Sequence, residues 1–303
     1  MSRFLLVSLL LAACSRPEAT AEGAAPTPGK PTVLQAKGSD TMVNLVQRLS
    51  EEYSKDHPTV IVAVTGGGSG TGVKALIDGT TDIATASRAM KPEEVTLAEG
   101  KGVHPVETVV AFDGLSIYVN TANPIASIDF DKLKCIFGSE GTCARWSDVG
   151  VTLDCDGSDT IVKVGRQNNS GTYEYFKEHV LGKEGKFTST MDQSGTQQVA
   201  DVVGTTKCAI GYGGMGYASA TSRSVCLGKA ATDACVEPSE ANVLNNSYPF
   251  SRPLFMYTNG APTGPILAFI DWAKGPAAKA FVVESGFVPT PEASAPPAPP
   301  PAG

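Results

Sequence analysis

The chain has 303 residues, of which 42% are hydrophobic and 18% charged, and it carries 32 glycines and 21 prolines. This length suits one large or two ordinary domains with a substantial core, and it excludes a small scaffold held together by disulfides. The formal net charge of -7 at pH 7 provides no general positive field for nucleic acid or anionic lipid. Any bound anion must therefore be captured by a local arrangement of groups.

The N-terminal residues have the pattern of an export signal that ends at a lipidation site. One arginine is followed by an apolar run from Phe4 to Leu11, which is too short for a stable membrane-spanning helix. Small residues lead directly into Cys14, and this Leu-Ala-Ala-Cys motif is typical of the lipobox of bacterial lipoproteins. We therefore predict a signal peptide over residues 1–13 and a lipid anchor at Cys14, in the periplasm or at the cell surface. The alternative is an ordinary signal peptide with an accidental cysteine.

Proline-rich segments mark the two edges of the predicted folded body. Residues 15–31 and 289–303 together hold 11 of the 21 prolines. Such compositions favour extended or disordered chain. We predict a tether over residues 14–31 and a solvated tail over residues 291–303.

Between these segments the sequence alternates predicted strands and helices. Strands are predicted over residues 32–37, 59–64, 81–86 and 160–164, and apolar positions at helical spacing follow the first, second and last of them. Ser39 or Asp40 is the expected N-cap of the first helix. The repeated order of strand, polar loop and helix predicts an α/β fold. In such folds the loops and helix N-termini meet at the edge of a parallel sheet where ligands bind.

Three loops carry serine or threonine, and each opens a predicted helix: residues 38–41, 68–72 and 169–172. A helix N-terminus offers unpaired N–H groups and partial positive charge, and hydroxyls add neutral donors. A small tetrahedral anion can therefore bind without a dense cationic patch. Arg166 lies just before the third loop, where its guanidinium can clamp two oxygens. Helix capping alone is the alternative for any one loop, but three similar loops favour an anion site.

The glycine run over residues 66–72 matches no nucleotide or hydrolase motif. A phosphate-binding Walker loop requires lysine directly after the last glycine, where Val73 stands, and serine or threonine where Ala75 stands. No G-x-G-x-x-G pattern fits the run. A nucleophile elbow around Ser69 fails as well, because Thr71 occupies the place of its second glycine.

Apart from Cys14 the chain has six cysteines, an even number that favours complete pairing in an oxidising compartment. They are Cys135, Cys143, Cys155, Cys208, Cys226 and Cys235. Many connectivities are possible, and the sequence alone does not choose among them. Short glycine-containing segments separate the first two and the last two, which favours those pairs and leaves the middle two for each other. A metal site is not expected, because there is no Cys-x-x-Cys and the three histidines are scattered.

Seven stretches, in their order and spacing, resemble the phosphate-binding proteins of bacterial phosphate ABC transporters, which have the class II periplasmic binding-protein fold. The stretches are residues 38–42, 66–88, 112–120, 136–149, 165–181, 209–218 and 248–260. Together they cover nearly the whole predicted body. The resemblance implies two α/β lobes with the ligand cleft between them, joined by crossing strands within residues 112–120 and 248–258 and closing by hinge bending. Lobe I would take residues 32–115 and 247–290, and lobe II residues 116–246.

The resemblance also implies a set of anion ligands in the loops. They are Ser39, Asp40, Thr41, Ser69, Ser87, Arg88, Arg166, Ser170, Gly171 and Thr172. Two departures matter, because Ser87 and Asn168 stand where some members carry carboxylates. Asp40 is then the leading acceptor for the proton that distinguishes phosphate from sulfate at neutral pH. Arg88 has two open interpretations, a second positive charge at the anion or a structural salt-bridge partner.

These observations predict an extracytoplasmic lipoprotein that captures inorganic phosphate and delivers it to the membrane permease of an ABC transporter. We expect a monomer that needs no cofactor and no metal and binds no nucleic acid. The alternatives are a receptor or sensor for another tetrahedral oxyanion, without transport, and a phosphatase. The phosphatase is disfavoured, because the sequence shows neither a nucleophile with its base nor a metal cluster.

Overall fold

One long strand organises the part of the chain that a computed structural model describes, residues 31–291. The predictions for the signal peptide, for Cys14 and for residues 14–30 and 292–303 lie outside the described residues. The strand, β4 (Pro105–Asn120), belongs to two sheets in succession. Each sheet with its helices forms one α/β lobe.

The first lobe is built on three parallel strands, β1 (Thr32–Gly38), β2 (Val60–Thr65) and β3 (Ile83–Ala86), with β1 in the middle. Helices α1 (Val43–Asp56) and α2 (Ser69–Ile77) connect them, and α3 (Pro92–Gly100) follows. These strands lie within two residues of their predicted starts. The apolar stripe of α1 is buried as predicted, through Leu45, Val46, Leu49 and Tyr53.

The two lobes meet where β4 changes partners. Its first part pairs antiparallel with β11 (Ser251–Asn259), up to the pair Gly114 and Ser251. From Leu115 onward it pairs antiparallel with β8 (Ala209–Gly214) of the second lobe. The chain returns to the first lobe beside this point, where the Leu115 N–H donates to the Phe250 carbonyl at 2.8 Å. Both segments predicted as crossings therefore lie at the junction of the lobes.

In the second lobe, β8 pairs in parallel with β6 (Val162–Arg166), which pairs in parallel with β7 (Met191–Gln193). The other strands of this lobe are β5 (Ser127–Asp129), β9 (Ser222–Ser224) and β10 (Cys226–Gly228). Strand β12 (Val288–Pro289) instead pairs with β4 in the first sheet. The helices of the second lobe are α4 (Phe130–Phe137), α5 (Gly171–Phe176), α6 (Thr196–Thr205) and α7 (Glu240–Leu244). A π-helical turn, Lys177–Leu181, extends α5. The last two helices, α8 (Gly264–Lys274) and α9 (Lys279–Glu284), pack against α1 in the first lobe.

The six cysteines form three disulfides in the second lobe, with the pairing that their spacing favoured. The bonds join Cys135 to Cys143, Cys155 to Cys208, and Cys226 to Cys235. The second spans 53 residues and ties the segment before β6 to the start of β8. This disulfide closes the longest loop of the three, so it reduces the entropy of the unfolded chain more than the other two do. In the chain-entropy account this contributes about 4 kcal/mol to the free energy of unfolding. No group of residues in the described chain has the composition of a metal site. Nor does any helix there have the length and apolarity to cross a membrane.

Candidate anion-binding site

The loops that leave the carboxyl ends of the parallel strands face each other across the cleft between the lobes. Those after β1, β2 and β3 belong to the first lobe, and those after β6 and β7 to the second. Asn169, after β6, lies against the glycine run after β2. Its carbonyl accepts from the Gly70 N–H at 3.1 Å, and its Nδ2 donates to the Gly67 carbonyl at 2.8 Å. Tyr217 of the second lobe donates its hydroxyl to the Thr41 carbonyl at 2.8 Å. The cleft is therefore closed in this structure.

Three threonine hydroxyls form a buried row across the cleft. The Thr41 Oγ1 lies 2.8 Å from that of Thr172 and 3.4 Å from that of Thr196. All three side chains are buried. The first two were predicted from the sequence, but Thr196, which opens α6 after β7, was not. The available signal was a threonine at the start of a helix, after a polar stretch. It was not recognised because β7 has only three residues, which are too few to show a strand pattern.

Four other predicted residues gather beside this row. The Ser69 Oγ lies 3.3 Å from that of Ser87 and accepts from the Ser87 N–H at 3.1 Å. Gly171 of the second lobe approaches both serines so closely that a Cβ there would lie 2.3 and 2.6 Å from their hydroxyl oxygens. The buried Ser39 Oγ finds no hydrogen-bond partner within residues 31–291. A donor of this kind needs an acceptor to offset its burial.

Helix capping accounts for only one of the three predicted loops. The Ser170 Oγ caps α5 by accepting from the backbone N–H groups of Thr172 and Tyr173. The expected capping of α1 by Ser39 or Asp40 is wrong, because the N-cap is Met42 and no side chain of the described body caps it. The reason is that residues 40–42 form a turn, so the helix begins only at Val43. Nor does a side chain from the described residues cap α2, whose N-cap is Gly68.

Arg166 lies at the end of β6 with its side chain fully buried. Its Nη1 donates to Thr196 Oγ1 at 2.7 Å, and its Nη2 donates to Asp40 Oδ2 at 3.1 Å. Its Nε has no partner among the described residues. Burial lowers the pKa of Arg166, and the Asp40 carboxylate opposes that effect. An arginine nevertheless stays charged, so the site contains a buried positive charge with a donor to spare.

Asp40 is engaged on both carboxylate oxygens. Besides the bond to Arg166, its Oδ1 accepts from the Gly67 N–H at 2.7 Å. This side chain links the loop after β1 to the glycine run and to the second lobe. Each oxygen retains further acceptor capacity, because a carboxylate oxygen has more than one lone pair.

Arg88 has the contacts of the structural salt-bridge interpretation. Its two Nη atoms donate to the two Glu94 carboxylate oxygens at 2.8 and 2.7 Å, and Nη1 also donates to the Ala89 carbonyl at 2.8 Å. Burial acts to lower the pKa of Arg88, but the Glu94 carboxylate outweighs it and raises that pKa. Its buried Nε has no partner in the described body, so one donor remains for an anion.

A second buried guanidinium, which was not predicted from the sequence, lies beside the threonine row. Arg252, on β11, donates to Thr172 Oγ1 at 3.1 Å and lies fully buried against Asp113 of β4. The available signal was an arginine directly before the apolar residues 253–257, where an unpaired charge is seldom buried. The site as a whole is rich in donors, with two fully buried guanidiniums, a third on Arg88 and a group of hydroxyls.

Comparison with known proteins places this geometry in a family. The sequence profile of the PBP superfamily domain matches residues 25–283. The chain belongs to this superfamily. The PstS phosphate-binding protein of Pseudomonas aeruginosa is 35% identical over 269 residues, which are 85% of this chain and 83% of that protein. Protein SphX of Synechococcus elongatus is 32% identical over 271 residues, 86% of this chain and 78% of that protein.

Solved structures of the superfamily share the fold. A substrate-binding protein of Clostridium perfringens, solved with bound phosphate, is 25% identical with a TM-score of 0.75, over 86% of this chain and 100% of that one. An ABC-type phosphate transport receptor of Vibrio cholerae is 26% identical with a TM-score of 0.66, over 84% of this chain and 99% of that one. The predicted two-lobed fold and the resemblance to phosphate-binding proteins of ABC transporters are thereby confirmed.

Proposed function

We propose that this superfamily member captures inorganic phosphate in the cleft between its lobes and delivers it to the permease of an ABC transporter. The observation that carries the proposal is a closed cleft with buried donors that have no partner in the described structure. They are the Nε of the charged Arg166 and the hydroxyl of Ser39. A bound tetrahedral anion satisfies such donors at no cost in further burial. The relatives named as phosphate-binding proteins support phosphate as that anion.

The ligands follow from the loops that meet in the cleft. We propose that phosphate is held by Ser39, Asp40, Thr41, Ser69, Ser87, Arg88, Arg166, Ser170, Gly171 and Thr172. Two of these contribute through backbone and geometry, since Ser170 uses its hydroxyl as a helix cap and Gly171 provides space. The pairing of β4 supports the proposed lobe limits, residues 32–115 with 247–290 and residues 116–246.

Calorimetry of the full chain with phosphate, sulfate, arsenate and phosphite tests the proposal. We expect phosphate to bind more tightly than sulfate. Preference for another of these anions would instead support a receptor for that oxyanion, and no binding of any would overturn the anion site. Release of phosphate from a simple ester, measured with and without chelator, tests for a phosphatase, and we expect none.

We propose that Asp40 accepts the proton of bound phosphate. Asp40→Asn keeps the size of the side chain but removes the charge and adds donors that a fully ionised oxyanion can use. We therefore expect the preference for phosphate over sulfate to fall by about tenfold or more, as for loss of a hydrogen bond to a charged group. Affinities for both anions are measured side by side at neutral pH and fixed salt. An unchanged preference would restrict Asp40 to linking Arg166 and the glycine run.

We also propose that the protein acts outside the cytoplasm as a monomer anchored through Cys14. Three disulfides in the second lobe support an oxidising compartment. Cys14→Ser is expected to move the protein from the membrane to the soluble fraction while phosphate binding persists. Membrane fractionation followed by binding measurements checks this, and a variant that stays with the membrane would contradict the lipid anchor.

A further inference from the structure

Arg252 and Asp113 form a fully buried ion pair at the point where the lobes join. They lie opposite each other in the antiparallel pairing of β11 with β4, next to the pair of Ser251 and Gly114 at which β4 leaves the first sheet. The Arg252 Nε and Nη2 both donate to Asp113 Oδ2, at 3.0 and 2.8 Å. Neither side chain is exposed to solvent. Burying both charges is expensive, and a pair of apolar side chains would hold two strands together as well.

The rest of the Arg252 guanidinium reaches both lobes. Its Nη1 donates to the Ser87 carbonyl of the first lobe at 3.3 Å, and its Nη2 donates to Thr172 Oγ1 of the second lobe at 3.1 Å. The same Nη2 lies 3.5 Å from Thr41 Oγ1. Asp113 therefore holds a cation in place against one end of the threonine row.

The threonine row lies between two guanidiniums. Arg252 donates to Thr172 at one end, and Arg166 donates to Thr196 at 2.7 Å at the other end, with Thr41 between them. A hydroxyl has one hydrogen and two acceptor positions. An arginine that donates to a threonine oxygen occupies an acceptor position and leaves that hydroxyl hydrogen to be donated. The two contacts between hydroxyls use at most two of the three hydrogens, so at least one is available in the cleft.

We propose that Arg252 is a positioning residue of the anion site, which orients the Thr172 hydroxyl as a donor toward the bound anion and is itself held by Asp113. The proposal rests on the proposed function, since it needs an anion in the cleft. It explains why a costly ion pair stands at this position. Because the guanidiniums donate to the oxygens of Thr172 and Thr196, the hydroxyl hydrogen that the row has left over suits an acceptor-rich anion. Asp40 remains to accept the anion's single proton.

A double-mutant cycle on the full chain tests the coupling, with phosphate affinity measured by calorimetry. Arg252→Lys keeps the charge but loses the forked geometry, and we expect it to weaken binding by about tenfold or more, as for a hydrogen bond to a charged group. Thr172→Val, which removes the hydroxyl, is expected to have a similar effect. Because the arginine acts through that hydroxyl, the double variant should bind within about twofold of Thr172→Val alone.

Two results would overturn the proposal: losses that add in the double variant, or Arg252→Lys binding like the parent. Arg145→Lys, at an exposed ion pair with Asp159, is the matched control and is expected to change nothing. If Arg252→Lys does not fold, the combination Arg252→Gln with Asp113→Asn takes its place, because it replaces the ion pair by two amides. Its loss of phosphate affinity should also be non-additive with that of Thr172→Val. A parent that binds no phosphate would instead overturn the proposed function.

Discussion

Replacing Arg166 with alanine is expected to weaken phosphate binding by about 2–4 kcal/mol, because the substitution removes the charged partner of a desolvated anion. This corresponds to a loss of affinity of about 30- to 1000-fold. The buried guanidinium bonds Thr196, Asp40 and the Ser194 carbonyl, so the variant also leaves the Asp40 carboxylate with one partner fewer. Calorimetry with phosphate measures the loss of affinity. Thermal unfolding checks the fold, and we expect the variant to unfold cooperatively like the parent.

Arg145→Ala is the control for the Arg166 experiment. Arg145 is 62% exposed and pairs with Asp159 on the surface of the second lobe. Exposed pairs of this kind contribute little, so its removal should leave phosphate affinity unchanged. If Arg166→Ala binds phosphate as tightly as this control, the anion lies elsewhere and Arg166 only ties the loop after β6 to the first lobe.

Replacing Gly171 with alanine is expected to oppose closure of the cleft. A Cβ at this position would lie 2.3 Å from Ser69 Oγ and 2.6 Å from Ser87 Oγ, and both serines belong to the other lobe. Short, buried serine side chains cannot move aside, so the strain arises only when the lobes meet. Overpacking of this kind costs about 1–3 kcal/mol, or about 5- to 150-fold in affinity. Calorimetry measures this loss, and solution scattering should show less compaction on addition of phosphate.

Gly100→Ala is the matched control for Gly171→Ala. A Cβ on Gly100, at the end of α3, meets no atom of residues 31–291 within 4 Å, so alanine should be accepted there without effect on binding. Unfolding temperatures of both variants, measured without phosphate, should stay close to that of the parent, because the alanine side chain at position 171 does not contact the first lobe when the cleft is open. Parental affinity in Gly171→Ala would mean that the lobes stay farther apart in the phosphate complex than in this structure.

The alternation of strands and helices was predictable because it depends on local periodicity. The first strand, β1, begins at the residue that the pattern indicated, and the buried face of α1 is the apolar stripe read from the sequence. The gathering of the loops followed from the parallel order of the strands, since their carboxyl ends share one edge. Thr41 and Thr172, 131 residues apart in the chain, meet for that reason.

The fold class, the loops that build the cleft and the arginine before the third loop could all be predicted from the sequence. The side chains that complete the site could not, because they are brought together by the folded chain. Arg252 and Asp113, 139 residues apart, meet through the register of two antiparallel strands, and Arg88 pairs with Glu94 through the turn before α3. No local pattern encodes a strand register of this kind, because it depends on how both faces of a sheet pack against distant elements. The partners of a buried charge are chosen in the same way, by burial and proximity in the folded chain.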